Sequence, residues 1–121
     1  MKLLLVRHAE AVVKGEEGTT RDFDRHLTAR GRDQALALAD ALAAHGVRPA
    51  AVVASPLVRA VQTAEPLLRL LPDGAELVVC DHLSPDDYRP KKLAKYAAGL
   101  GDGPVVLVGH NPSISDFARW L

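Results

Sequence analysis

Leu3-Leu4-Leu5-Val6-Arg7-His8 decides how this chain is read. Four consecutive apolar residues end at two nitrogen-rich side chains. An unbroken apolar run of this kind suits a strand buried on both faces, as in parallel sheets covered by helices. The pattern recurs along the chain. Ala50 to Ala54 runs into Ser55, Glu76 to Cys80 runs into Asp81, and Val105 to Val108 runs into Gly109-His110. Four strands are expected, each delivering polar residues at its carboxyl end.

Helices fill the intervals. Thr28 reads as an N-cap, followed by Ala35, Leu38, Ala39 and Leu42 at helical spacing and by Gly46 as the stop. Ser55-Pro56 predicts a second helix, with Ser as cap and Pro at the first position, running to about Leu71. A third is expected from about Lys91 to Leu100, and Asn111-Pro112 caps a last one that runs to the chain's end. Ala9 to Leu27 and Asp81 to Pro90 are polar and read as loops. The order β-α-β-α-β-α-β-α predicts an α/β fold of three layers, α/β/α, around a mostly parallel sheet. With 121 residues, 48% of them hydrophobic, residues 1–121 are expected to form one domain around one core.

Lys plus Arg total 15 and Asp plus Glu total 15, a formal net charge of zero. Such a chain has no global field drawing it to nucleic acid or to an anionic membrane, so an anion it binds must be held by local geometry. The single Cys80 excludes an intramolecular disulfide and multi-cysteine metal clusters, and its apolar setting predicts a packed thiol. No apolar run approaches the ~20 residues of a membrane span. The apolar start is too short for a signal peptide and is stopped by Arg7-His8, so the expected location is cytoplasmic.

In open α/β sheets, ligands sit beyond the carboxyl ends of the strands. Arg7-His8 follows the first strand, Ser55 and Arg59 the second, Asp81-His82 the third, and Gly109-His110 the fourth. Two Arg and two His on one sheet edge point to a phosphate-type anion site. Guanidinium groups bind phosphate oxygens in pairs, and a neutral imidazole can attack phosphorus to form a covalent intermediate. Nothing resembles a Gly-rich phosphate loop with its Lys. Each residue alone has an ordinary structural use: Arg59 as a solvated helix charge, His110 as a turn residue. Zinc is a rival use for His8, His82 and His110, though no tight pair such as H-x-x-x-H occurs.

Leu5-Val6-Arg7-His8-Ala9-Glu10-Ala11, Ser55-Pro56-Leu57-Val58-Arg59-Ala60-Val61-Gln62-Thr63-Ala64 and Val108-Gly109-His110-Asn111-Pro112 together resemble the histidine phosphatase (phosphoglycerate mutase-like) superfamily. Among its branches, the chain is similar to the short SixA-type phosphohistidine phosphatases. Asp24 to Gly31 is similar to that branch's Arg-Pro-Leu-Thr segment, with His26 in place of Pro. The resemblance implies a metal- and cofactor-independent phosphatase, with His8 as the phosphorylated nucleophile and Arg7, Arg59 and His110 binding the phosphoryl group. Arg25, His82 and Asn111 are candidate substrate contacts. The superfamily normally continues past the last helix into a further strand, so the expected sheet lacks that C-terminal strand.

Larger members carry a Glu that protonates an alkoxide leaving group. This chain has no clear counterpart, only Asp81, Asp86 and Asp87 in the appropriate loop. Imidazole leaves phosphorus more readily than an alkoxide, so phosphohistidine on a signalling or phosphotransfer protein is the favoured substrate. The alternatives are a small phosphate ester handled by the same His8 chemistry, or a non-catalytic phosphate-binding module.

Overall fold

The apolar run at the amino end forms β1 (Leu3–Arg7) in the computed structural model, which describes residues 2–121. The other strands are β2 (Ala51–Ala54), β3 (Val78–Val79) and β4 (Val105–Gly109). All pair in parallel in the order β1-β4-β2-β3. The two central strands, β4 and β2, are wholly buried, which is why both are unbroken runs of small and branched apolar residues. At the far edge, β3 contributes only two residues to the ladder, fewer than the Glu76 to Cys80 run suggested. The Cys80 thiol is free and buried, and burial raises its pKa.

Side-chain alternation divides the core in two. Val52, Ala54, Val106 and Val108 face one way, onto Ala39 of α1 (Ala29–Ala44) and Ala60 and Ala64 of α2 (Val58–Ala64). Val53, Val105 and Leu107 face the other way, onto Leu93 and Ala97 of α3 (Pro90–Ala98) and Ile114 and Phe117 of α4 (Ser113–Trp120). Helices on both faces of a parallel sheet give the expected three layers. Among the described residues, no helix is long and apolar enough to cross a membrane.

Thr28 caps α1 as its sequence suggests, its Oγ1 accepting from the Gly31 N–H at 2.9 Å. Two other caps differ from expectation. Leu57, not Ser55, occupies the N-cap position of α2; the Ser55 hydroxyl contacts His110 and also accepts from the Leu57 N–H. The α-helical part of that segment ends at Ala64 and continues as a 3-10 stretch, Glu65–Leu70. Pro66 explains the change: it lacks an N–H, and its ring crowds the carbonyl one turn back. At α4, Pro112 takes the cap position, and Asn111 Oδ1 accepts instead from the Ser115 hydroxyl at 2.8 Å.

The segment after β1 is a folded flap rather than an open loop. A bridge joins Ala11 to Leu27, and the Val12 N–H donates to the His26 carbonyl at 2.9 Å. Val12 and Leu27 are buried beneath it. His26, standing where a Pro was expected from the resemblance, is held by its ring: Nδ1 lies 3.0 Å from the Leu27 carbonyl and Nε2 3.2 Å from Glu17.

Candidate active site

Register places the two histidines side by side. Arg7 pairs with Gly109 across β1 and β4, so His8 and His110 leave adjacent strands at the same level. The His8 N–H donates to the Gly109 carbonyl at 3.0 Å, and the two imidazole centroids lie 5.1 Å apart.

The His8 ring is fixed in one tautomer. Its Nδ1 lies 2.7 Å from the Ala9 carbonyl, an acceptor only, so Nδ1 carries the proton and Nε2 presents a lone pair. Arg59 Nε donates toward that lone pair across 3.3 Å. Burial holds the His8 imidazole below its usual pKa, and the Arg59, Arg7 and Arg25 guanidinium groups push the same way against the pull of the Ala9 carbonyl. At neutral pH Nε2 is unprotonated, with a lone pair capable of nucleophilic attack.

His110 is almost completely buried, with Nε2 2.8 Å from Ser55 Oγ. That oxygen already accepts from the Leu57 N–H at 3.3 Å. The buried hydroxyl proton has no other acceptor among the described residues, so it is assigned to His110 Nε2, which puts the ring proton on Nδ1. Nδ1 is buried and has no partner among the described residues, so it stands as a donor in reserve. Burial, with the Arg59 guanidinium next in effect, pushes this imidazole's pKa down to about 4.

Arg59 projects from the first turn of α2 and is held by the flap. Its Nη1 donates to the Asp22 backbone carbonyl at 2.8 Å and its Nη2 to Asp22 Oδ2 at 3.1 Å. Asp22 Oδ1 accepts from Arg25 Nη1 at 2.8 Å, and Arg25 Nε donates to the Val12 carbonyl at 2.7 Å. Hydrogen bonds from Arg25 and Arg59 hold the Asp22 carboxyl below its usual pKa. Thr63 ties the base of the site together. Its Oγ1 accepts from the Ala9 N–H at 3.0 Å and donates to the Arg59 carbonyl at 2.7 Å.

Above His8 opens a cavity of about 390 Å³ lined by Arg7, Arg25, Glu10 and Gln34. A larger cavity, about 590 Å³, lies at the opposite ends of the strands beside Arg48, Ala50 and Leu71, and no histidine lines it. The structure thus gathers Arg7, His8, Arg25, Arg59 and His110. It sets His82 on the loop after β3, with Nδ1 3.6 Å from the Asp87 carboxylate. The cavity wall itself holds neither Arg59 nor His110, which join the site through their contacts with His8, and it also lacks His82, Asn111, Asp81, Asp86 and Asp87. Asp87 is instead paired with Arg89 at 3.0 Å. Among the described residues, no cluster of three or more His, Cys, Asp or Glu forms a metal site.

Sequence reasoning missed Asp22 and misassigned Ser55. Asp22 lies in a polar loop among other charges, and only the folded flap shows which cations it meets. Ser55-Pro56 carries an ordinary helix-cap signal, which hid the pairing with a histidine 55 positions away.

A parallel sheet whose neighbouring strands β1 and β4 end in Arg-His and Gly-His beside a helix-borne Arg defines a class. The chain belongs to the histidine phosphatase superfamily: residues 3–84 match its branch 1. Within it, the chain is 39% identical to the mitochondrial serine/threonine-protein phosphatase Pgam5 of Drosophila ananassae, over 64% of this chain and 25% of that protein. The chain thus spans about a quarter of that relative's length. It is 32% identical to an uncharacterized protein of Picosynechococcus, over 98% of this chain and 72% of the relative. Among solved structures it is similar to the protein histidine phosphatase SixA complexed with tungstate, at 25% identity and TM-score 0.84. That likeness covers 98% of this chain and 75% of the other.

Proposed function

We propose that the chain is a metal-independent phosphatase that forms a covalent phosphohistidine on His8 and acts on phosphohistidine carried by a protein. The observation behind this reading is the orientation of His8: Nδ1–H bound to the Ala9 carbonyl, Nε2 unprotonated and accepting from Arg59 Nε. In the first step Nε2 attacks phosphorus as the P–N bond to the substrate imidazole breaks, the electron pair staying on a ring that is protonated at its other nitrogen and so leaves neutral. In the second, water attacks phosphorus, the P–Nε2 bond breaks with its pair returning to Nε2, and the water's proton leaves with the inorganic phosphate. Arg7, Arg25, Arg59 and the Nδ1–H of His110 supply positive charge and donors for the equatorial oxygens as charge develops. No carboxylic acid is required for an imidazole leaving group, which departs more readily than an alkoxide. The likeness to SixA supports a phosphohistidine substrate.

The Pgam5 likeness favours a second reading, a phosphoester on a protein serine or threonine. One assay compares turnover of a phosphohistidine protein, a phosphoserine protein and a sugar phosphate, with chelator present, for wild type and His8→Ala. The leading reading expects the highest kcat/KM on phosphohistidine, unaffected by chelator and lost in the variant. A preference for either ester would overturn the substrate assignment. Equal rates in both proteins would remove His8 from the chemistry.

A further inference from the structure

We propose that Asp22 is a positioning residue of the phosphoryl site, clamping the outer edge of the Arg59 guanidinium so that its inner edge faces the nucleophile. The inference rests on the phosphatase reading of His8 and adds a residue to it. Arg59 has two faces with paired donors, the end formed by Nη1 and Nη2 and the side formed by Nε and Nη2. Asp22 takes the end, with its backbone carbonyl on Nη1 at 2.8 Å and its carboxylate on Nη2 at 3.1 Å. Nε is thereby left pointing at His8 Nε2, 3.3 Å away.

A guanidinium rotates as a rigid plane, so fixing one edge fixes the other. The Arg59 side chain is 6% exposed, whereas that of Asp22 is 53% exposed. The clamp therefore reaches the buried cation from the solvent side, as part of the flap rather than of the sheet. Its second oxygen holds Arg25 at 2.8 Å, and Arg25 is in turn fixed by the Val12 carbonyl. One carboxylate thus sets two cations at a fixed spacing and offsets their mutual repulsion.

A carboxylate bound to two guanidinium groups remains ionised and does not serve as the missing proton donor. Its contribution is geometric. Displacing a positioning group by about 1 Å can cost about 10²-fold in rate. Removing a negative charge beside an anion site favours anion binding, so the loss falls on kcat and not on KM.

The test uses para-nitrophenyl phosphate, which needs no protein recognition, with wild type, Asp22→Asn and Asp22→Ala. Thermal unfolding confirms that each variant is folded. In Asp22→Ala, kcat is expected to fall about 10²-fold while KM stays level or drops. Both variants keep the backbone carbonyl on Nη1; Asp22→Asn also keeps one side-chain acceptor oxygen, and falls between. The Arg59 Nε–H signal in 15N-labelled protein is expected to be slow to exchange in wild type and fast in Asp22→Ala. An unchanged kcat in Asp22→Ala, with tighter binding of inorganic phosphate, would overturn the proposal and leave Asp22 as a mere competitor for the site. An unchanged Arg59 signal would overturn it independently of turnover. A wild type inert on every phosphate substrate, with an Arg59 signal that still depends on Asp22, would instead sink the phosphatase reading while supporting the clamp.

Discussion

Arg59 Nε and His8 Nε2 lie 3.3 Å apart, a guanidinium N–H directed at an imidazole lone pair. The contact joins a strand end to a helix 51 residues further along the chain. It favours the unprotonated form of Nε2, the nitrogen proposed as the nucleophile, and sets a donor beside it. Lysine cannot reproduce it, because an ammonium has no planar pair of edges to share between Asp22 and His8. Arg59→Lys is therefore expected to lower kcat by about 10²-fold, in the range of losing one oriented donor to a developing charge. The check is steady-state kinetics beside a phosphate-binding isotherm. Retention of more than a tenth of wild-type kcat would show that charge alone suffices.

Both histidines have lowered pKa values, and the sign of the pH dependence follows. As the proposed nucleophile His8 has to be neutral, so the acid limb of kcat/KM is expected below the ordinary imidazole value of 6.5, after allowance for the substrate's own ionisation. For stability, the unfolded chain takes up protons on these rings as pH falls through 6.5, whereas buried His110 resists until about 4. Between those values the unfolded state binds more protons, so stability declines as pH falls. Urea midpoints measured from pH 7 down to pH 4.5 should fall steadily in wild type and more shallowly in His110→Gln. A parallel decline in both proteins would assign the acid sensitivity to other groups.

The fold was legible because its signals are local. Apolar runs marked β1, β2 and β4, and Thr28 and Gly46 bounded α1 within the reach of a single turn. The strand ends also pointed to Arg7, His8 and His110, since topology alone brings them to one sheet edge. What stayed hidden depends on side chains meeting across the fold. Asp22 reads as one acid among many until the flap bridge at Ala11 and Leu27 folds it over Arg59. Ser55 looks like a cap until β4 delivers His110 beside it. Pro66 did carry a local signal for the end of α-helix, but the apolar spacing through Leu70 masked it.

Gly31 ties α1 to the segment after His8 through lack of a side chain. A Cβ built there would lie 2.0 Å from the Glu10 carbonyl oxygen, closer than any atom can approach. The same carbonyl accepts from the Thr28 N–H at 3.0 Å, so it cannot retreat without breaking the bond that seats the helix cap. Glu10 lies two residues after His8 and lines the cavity above it. Gly31→Ala adds helix propensity inside α1, which in an open site would stabilise by about 1 kcal/mol. Here the forced backbone shift outweighs that gain, and a net loss of about 1–3 kcal/mol is expected from urea unfolding. Because the displaced carbonyl follows His8 so closely, kcat should fall in protein that remains folded. A variant as stable and active as wild type would show that the Glu10 segment moves freely, and that the flap does not need this contact to hold His8.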